Sequence, residues 1–271
     1  MSDFGTFGDV SVEIADAFVA TAEIHRPPHN YFDIALIGDL ADAFEALADE
    51  PRCRAIVLCS EGKNFCAGAQ LAGPAERRSQ VAVAGGEGAD AGPPRHLYDE
   101  AVRLFRTPTP VVAAIQGAAV GGGLGLALMP DFRVAAPEAR FSANFARLGM
   151  HHGFGLSVTL PDLVGRQRAM ELLYTGRRIR GEEALEIGLC DRLVPLGELR
   201  DAANQLAREI AGSAPLAVRS IRETLRGDLP ERIRAATDRE KVEQERLQRT
   251  SDFTEGVRAM GERRLPKFTG S

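Results

Sequence analysis

The chain has 271 residues, of which 44% are hydrophobic and 26% are charged, and its formal net charge is −5 at pH 7. This length buries a substantial core, either as one large α/β domain or as a domain with an appendage. A surface that binds nucleic-acid phosphates normally carries a basic excess. The acidic balance therefore predicts no nucleic-acid partner.

Neither C-x-x-C spacing nor a nearby histidine accompanies the four cysteines, which are Cys53, Cys59, Cys66 and Cys190. We interpret them as free thiols and expect no metal site and no disulfide framework. The first ten residues, MSDFGTFGDV, carry neither the basic region nor the apolar core of a signal peptide. A cytoplasmic location is the expectation.

Strands and helices are predicted to alternate in the first part of the chain. FVATAEI (18–24) has apolar side chains at every second residue, which predicts a strand. Apolar residues at offsets of three and four from Ile37 to Leu47 predict an amphipathic helix that ends before Pro51. AIVLCS (55–60) is a short apolar run, typical of a buried strand. Strand, helix and strand in this order indicate a βαβ unit.

The segment from Gly73 to Pro94 is rich in Gly, Ala and Pro and is predicted to be a mobile excursion. Apolar residues from Leu97 to Phe105 again have the spacing of a helix. Another buried strand is predicted at 111–115 and a further short strand at 132–137. Between them lies the glycine-rich segment GAAVGGGLGLAL (117–128).

The last part of the chain is predicted to be helical. Apolar stripes predict helices that begin near Leu199, after Ser213 as an N-cap, and near Ser251. We divide the chain into a core of residues 1–195 and a helical region of residues 196–271. The helical region is expected to build an oligomer interface.

The glycines at 117–128 do not form a nucleotide-binding loop. Leu126 or Leu128 takes the third glycine position of a dinucleotide fingerprint, and no lysine lies near these glycines for a phosphate loop. A membrane span over 107–130 fits the charge-free length, but three consecutive glycines would weaken its helix. A strand, a glycine turn and a helix fit better. Such a turn aims backbone N–H groups at a ligand and predicts an anion or oxyanion site.

NFCAGAQL (64–71), followed by PTPVVAAIQGAAVGGGLGLALMPDFRVA (108–135), resembles the crotonase superfamily, the enoyl-CoA hydratase and isomerase family. The resemblance extends from Val10 to AMGERRLPKF (259–268). It implies an α/β fold with a core of ββα turns arranged in a spiral, followed by C-terminal helices that build a homotrimer or a dimer of trimers. It also implies an acyl-CoA substrate, with coenzyme A as part of the substrate and no separate cofactor.

The resemblance further implies that the thioester oxygen is held by the backbone N–H groups of Ala69 and Gly122. One such donor typically accelerates the reaction about 100-fold to 1,000-fold, because it stabilises the charge that develops on the oxygen. Arg26 and Lys267 are candidates for phosphate contacts, the latter from a neighbouring subunit. The loop CAGAQL would also bind substrate, through Ala67, Gly68, Gln70 and Leu71.

Both hydratase carboxylates are missing from this sequence. Gly125 stands where the family's hydratases carry the first glutamate, and Phe145 stands where they carry the second. Gly153 occupies a third position, at which a carboxylate serves in some relatives. Loss of a general acid or base lowers rates about 100-fold to 10,000-fold, so ordinary hydration is expected to be absent or poor. Phe145 is instead expected to line the acyl pocket.

His151 and His152 are the candidates for an acid or base, because histidine titrates near neutral pH. The alternative is that they shape the loop or face a subunit contact. His96 and Tyr98 are also expected near the acyl group, with ordinary packing as the alternative.

The leading hypothesis is an acyl-CoA enzyme that catalyses isomerisation, decarboxylation or thioester hydrolysis. A non-catalytic acyl-CoA-binding protein is the second hypothesis. A protein anchored in a membrane through residues 107–130 is the third.

Overall fold

The structure, a computed structural model, describes residues 2–15, 18–71, 79–83 and 95–271. Apart from residues 79–83, the predicted excursion from Gly73 to Pro94 lies outside the described residues. The strands are β1 (Ser2–Phe7), β2 (Val10–Ala15), β3 (Val19–Ile24), β4 (Ala55–Ser60), β5 (Ala82–Val83), β6 (Arg95–His96), β7 (Val111–Ile115), β8 (Ala118–Val120), β9 (Phe132–Ala135), β10 (Arg140–Ser142), β11 (Ile179–Arg180) and β12 (Arg192–Leu193). The helices are α1 (Ile34–Ala48), α2 (Leu97–Arg106), α3 (Gly122–Leu128), α4 (Leu156–Val164), α5 (Arg166–Thr175), α6 (Gly181–Glu186), α7 (Leu199–Ala211), α8 (Pro215–Arg226), α9 (Leu229–Leu247) and α10 (Ser251–Gly261).

Across the described residues, the main sheet has seven strands in the order β1-β2-β3-β4-β7-β9-β12. The first three pair antiparallel, and the strands from β3 onward pair in parallel. Parallel strands are normally covered on both faces, so their sequences are continuously apolar. This explains why all six residues of β4 are buried.

Successive residues of the central strands face two different cores. Ile56 and Leu58 of β4 belong to the large core that includes buried residues of α1, α2 and α3. Ala55 and Val57 belong to a smaller core on the opposite face, which α7 covers. The sheet is thus a buried layer between helices.

Beyond β7 the chain repeats a strand of the main sheet, a strand of a second sheet and a helix. β7, β8 and α3 form one such repeat, and β9 and β10 precede α4 in the next. β10 pairs in parallel with β8 and antiparallel with β11. The expected α/β fold with ββα turns is confirmed.

Most predicted elements are present where the sequence placed them. The βαβ unit is confirmed by the parallel pairing of β3 and β4 on either side of α1. β4 and β7 have the predicted limits 55–60 and 111–115. The glycine segment contains one more strand than predicted, β8, before α3.

Two local predictions were wrong. Phe18 does not share the apolar face of β3: it precedes the strand with φ 62°, and its ring lies 3.5 Å from the guanidinium carbon of Arg54. Ser213 is not the N-cap of α8, because the helix begins one residue later, after Ala214, without a side-chain cap.

The hypothesis of a membrane span over 107–130 is also wrong. The segment folds as two strands and a helix of seven residues, all within the α/β core. In the described part of the chain, no helix combines the length and the apolar character that crossing a bilayer requires.

A buried carboxylate holds α9 against the start of α4. The side chain of Glu240 is 1% exposed. It accepts hydrogen bonds from the N–H of Gly155 (2.9 Å), the N–H of Ser157 (3.1 Å) and the hydroxyl of Ser157 (2.6 Å). Burial raises the pKa of Glu240, although the hydrogen bonds oppose that shift. Because α9 carries side chains of the cavity described below, this contact helps to position the site.

Glu240→Ala should lower the free energy of unfolding by about 3 kcal/mol, because three donors lose a buried acceptor. Denaturant unfolding measures the change. The control is Glu243→Ala on the same helix, where the carboxylate pairs with Arg246 at the surface and its loss should leave the midpoint unchanged. Equal midpoints for the two variants would contradict the anchoring role of Glu240.

Candidate active site

Two backbone segments meet at one wall of a cavity. The segment 64–71 runs beside β8: the N–H of Cys66 donates to the carbonyl of Ala118 (2.9 Å), and the N–H of Val120 donates to the carbonyl of Cys66 (3.1 Å). Gly68 has φ +87°, and a Cβ there would lie 2.6 Å from the Val120 carbonyl oxygen. Only glycine permits this approach of the two backbones.

A sharp turn at Gly121 starts α3. Gly121 has φ +59°, its N–H donates to the carbonyl of Ser142 (2.8 Å), and its carbonyl accepts the N–H groups of Leu124 and Gly125. The next N–H, that of Gly122, donates to no other described residue. The turn therefore leaves one donor for a ligand or for solvent.

The N–H of Ala69 is similarly unengaged among the described residues. Its neighbours on both sides are used: the carbonyl of Gly68 accepts from Phe32, and the N–H of Gln70 donates to the hydroxyl of Ser79. A Cβ on Gly68 would lie 3.8 Å from the nitrogen of Gly122, so the two segments are adjacent. Ala69 and Gly122 both line the cavity, and their N–H groups form a pair of available donors.

The cavity has a volume of about 220 Å³ and is mainly apolar. The structure brings together six of the predicted site residues in its wall: Ala67, Gly68, Ala69, Leu71, Gly122 and Phe145. His96 and Tyr98, which had packing as the alternative, also line it. The remaining apolar lining is Phe32, Val81, Ala82, Leu97, Val120, Leu148, Met150, Phe154 and Met260.

An aromatic ring fills the space beside Gly125, the position at which the family resemblance implies the first hydratase glutamate. A Cβ on Gly125 would lie 2.5 Å from the Cβ of Phe154 and 2.9 Å from its ring. Phe154 is buried and packs against Phe32 with a centroid distance of 5.7 Å. A larger residue at position 125 therefore has no room unless Phe154 moves.

The space beside Gly153, the third carboxylate position, is also occupied. A Cβ on Gly153 would lie 1.9 Å from the hydroxyl oxygen of Tyr98 and 2.6 Å from Nε2 of Gln244. The Tyr98 hydroxyl donates to Oε1 of Gln244 (2.8 Å), whose Nε2 donates to the carbonyl of His151 (3.0 Å). Burial raises the pKa of Tyr98 well above its ordinary value, so its hydroxyl stays neutral.

His151 and His152 do not line the cavity. Their rings stack at 4.1 Å, and Nδ1 of His151 lies 2.8 Å from the carbonyl of His152. Nε2 of His152 lies 2.8 Å from the Ser157 hydroxyl, which itself donates to Glu240. Because the Ser157 hydroxyl gives its proton to Glu240, Nε2 of His152 must donate to that hydroxyl. The two histidines therefore shape the loop before α4. This is the alternative considered from the sequence.

Three other predicted contacts lie outside the cavity wall. The guanidinium of Arg26 pairs with Asp9 (2.6 Å) and Asp33 (2.8 Å). Gln70 is held through its backbone, as described above. Lys267 is exposed in the C-terminal tail, where its backbone N–H donates to the Glu255 carboxylate. The phosphate contacts proposed for Arg26 and Lys267 remain predictions.

The sequence did not predict the polar side chains that α9 contributes to the cavity. Lys241, Gln244, Glu245 and Gln248 follow one another at offsets of three, one and three, so they share one face of the helix. The charge-rich sequence of α9 hides this face, because charged residues are spread along the helix. Asn144, beside Phe145, is the other polar residue that was missed.

Known proteins similar to this chain in sequence or structure have names that refer to CoA thioesters. The family model described as enoyl-CoA hydratase/isomerase matches residues 15–271. Carnitinyl-CoA dehydratase of Proteus mirabilis is 32% identical, over 91% of this chain and 93% of its own. 1,2-Epoxyphenylacetyl-CoA isomerase of Escherichia coli is 31% identical, over 93% and 95%. A crystal structure of an enoyl-CoA hydratase/isomerase from Pseudoalteromonas atlantica superposes with a TM-score of 0.83, at 28% identity over 96% of this chain and all of its own.

Gly125→Ala should lower the free energy of unfolding by about 1 to 3 kcal/mol, because the new methyl group overlaps Phe154. In a Phe154→Gly background, which removes both the Cβ and the ring, the same change should be tolerated, giving a clear coupling in a double-mutant cycle. Gly197→Ala is the control, since no atom lies within 4 Å of its added Cβ. If Gly125→Ala is as stable as the control, the space beside Gly125 is not filled as described.

The stability of the protein should fall as the pH is lowered from about 6.5 towards 4. Burial, reinforced by His151, lowers the pKa of His152 from 6.5 to about 4. In this window the unfolded chain binds a proton that the folded chain does not, so acid favours unfolding. His152→Gln should reduce the loss of stability between about pH 7 and pH 4.5, measured by denaturant unfolding. An unchanged pH dependence in the variant would contradict the assignment.

Proposed function

Because the chain belongs to the enoyl-CoA hydratase/isomerase family, we propose that it binds an acyl-CoA thioester and stabilises its enolate or oxyanion through the N–H groups of Ala69 and Gly122. The family supports an enzyme that acts on CoA thioesters as a lyase or isomerase. The observation that carries the proposal is the pair of available N–H donors in the wall of an apolar cavity.

The chemistry follows from the properties of a thioester. Removing a proton or carboxylate from the α carbon moves an electron pair towards the carbonyl oxygen, which becomes negative. Fixed N–H donors stabilise that charge more than the neutral carbonyl, particularly in a site of low dielectric constant. The apolar walls supply such surroundings, since Phe32, Phe145 and Phe154 exclude water from the acyl group.

Hydration by two glutamates does not fit this cavity. Phe154 fills the space of the first carboxylate, Phe145 replaces the second, and Tyr98 with Gln244 fills the third position. Double-bond isomerisation and decarboxylation fit better, because neither requires a bound water. Thioester hydrolysis does require one and is the third reaction of this proposal.

A non-catalytic acyl-CoA-binding protein is the alternative function. The same filled carboxylate positions favour it, because the oxyanion donors remain while the family's usual acids and bases are absent. Binding without turnover of any thioester would distinguish this function from the first.

We also propose assembly as a homotrimer or a dimer of trimers. The family resemblance implies this assembly, and α8 supports an interface in the C-terminal region. Its side chains Leu216, Ile221 and Leu225 are 81%, 59% and 82% exposed. No residue of α8 is buried, and exposed apolar side chains on such a helix are typical of a surface that is covered in an assembly.

A thioester should bind more tightly than a matched thioether. S-butyl-CoA lacks the carbonyl oxygen of butyryl-CoA, so its complex leaves both donors unpaired and should dissociate about 10-fold to 100-fold more readily. Isothermal titration measures the two dissociation constants. In parallel, crotonyl-CoA hydration should be absent or poor. Equal affinities, or rapid hydration, would contradict the proposed function.

A further inference from the structure

Among the described residues, the Lys and Glu side chains that line the cavity come from one helix. Lys241 and Glu245 lie one turn apart on α9, and both line the cavity. Lys241 is half-buried and Glu245 is exposed, and neither forms an ion pair with the other or with another described residue. Both side chains are therefore available to a ligand in the cavity.

The described lining contains four titratable side chains: His96, Tyr98, Lys241 and Glu245. Tyr98 is excluded as an acid or base near neutral pH, because its hydroxyl is engaged by Gln244 and burial raises its pKa. Lys241 offers hydrogen-bond donors and no acceptor. Glu245 is the one carboxylate among the described lining residues and is the candidate for a base.

His96 is fixed as a hydrogen-bond donor. His96 is the N-cap of α2, and its Nδ1 accepts a hydrogen bond from the backbone N–H of Tyr98 (3.1 Å). The backbone N–H of His96 in turn donates to the Asp99 carboxylate (2.9 Å). An Nδ1 that accepts carries no proton, so the proton is on Nε2. Burial and the charge of Lys241 lower the pKa of His96, which keeps the ring neutral.

Gln244, the neighbour of Glu245 in sequence, reaches the space beside Gly153, the third carboxylate position of the sequence analysis. Nε2 of Gln244 lies 2.6 Å from where the Cβ of a larger residue 153 would be. The anchoring of Glu240 and the hydrogen bond from Tyr98 to Gln244 hold this part of α9 in place. Other side chains occupy the spaces beside Gly125 and Gly153, and α9 brings a different carboxylate, that of Glu245, to the cavity.

We propose that Glu245 is the base that removes a proton from the α carbon of the bound acyl thioester, with the Nε2–H of His96 as a hydrogen-bond donor beside it. The inference rests on the proposed function, because it requires the oxyanion donors of Ala69 and Gly122.

The step is a proton transfer that needs no other reactant. A Glu245 oxygen bonds to the α hydrogen, the C–H electron pair becomes the C=C bond of the enolate, and the carbonyl π electrons move to oxygen. The two N–H groups hold the resulting oxyanion. Returning the proton to the α carbon exchanges it with solvent. Delivering it to the γ carbon of a β,γ-unsaturated acyl group shifts the double bond.

Deuterium exchange tests this step without requiring the natural substrate. The full-length protein is incubated in D₂O with 3-butenoyl-CoA or phenylacetyl-CoA, whose α hydrogens are activated, and incorporation is followed by mass spectrometry. Glu245→Gln should lower the exchange rate about 100-fold to 10,000-fold. Its dissociation constant for S-butyl-CoA should stay within about threefold of the wild type.

Glu243→Gln is the matched control on the same helix, because its carboxylate pairs with Arg246 outside the cavity, and it should exchange at the wild-type rate. If Glu245→Gln also exchanges at the wild-type rate, the assignment of Glu245 is wrong and the proposed function stands. If the wild type binds both thioesters and exchanges neither, the enolate function fails and the assignment fails with it.

His96→Asn tests the donor separately. Asparagine keeps an N-cap side chain, so α2 should remain stable, while the imidazole N–H is lost. The exchange rate should fall about 10-fold to 100-fold at an unchanged melting temperature. A deuterium-exchange rate equal to that of the wild type in this variant would overturn the role of His96.

Discussion

Two backbone N–H groups without a partner in the described chain, those of Ala69 and Gly122, are the feature on which the site depends. Bringing them together requires Gly68 against β8 and a left-handed turn at Gly121. The parallel pairing of β8 with β10 holds that turn in register. An unpaired donor beside apolar walls is unfavourable without a ligand or water, which makes these two groups selective for an oxygen acceptor.

The surroundings of this donor pair decide which chemistry it supports. Phe154, which has φ 62°, turns its side chain into the space beside Gly125, and Tyr98 with Gln244 closes the space beside Gly153. The positions at which the family resemblance implies hydratase carboxylates are therefore not empty. Other side chains are packed into the spaces beside Gly125 and Gly153, so introducing a glutamate there would require several coupled changes.

Local patterns predicted the elements that build the site but not the side chains that complete it. The apolar runs of β4 and β7 and the glycine turn at Gly121 are encoded by neighbouring residues, so the sequence predicted them. Whether His152 faces the cavity or Glu240 depends on how α4 and α9 pack, which no local spacing specifies. The same holds for Glu245, which is one of many charged residues along its helix, so that no local spacing distinguishes it.

The most direct test of the oxyanion site is a crystal structure of the protein with a bound acyl-CoA thioester. The thioester carbonyl oxygen should lie about 2.7 to 3.2 Å from the backbone nitrogens of both Ala69 and Gly122. The acyl group should lie against Phe32 and Phe145. A carbonyl oxygen that faces solvent, or one held by side chains instead of these two N–H groups, would contradict the account.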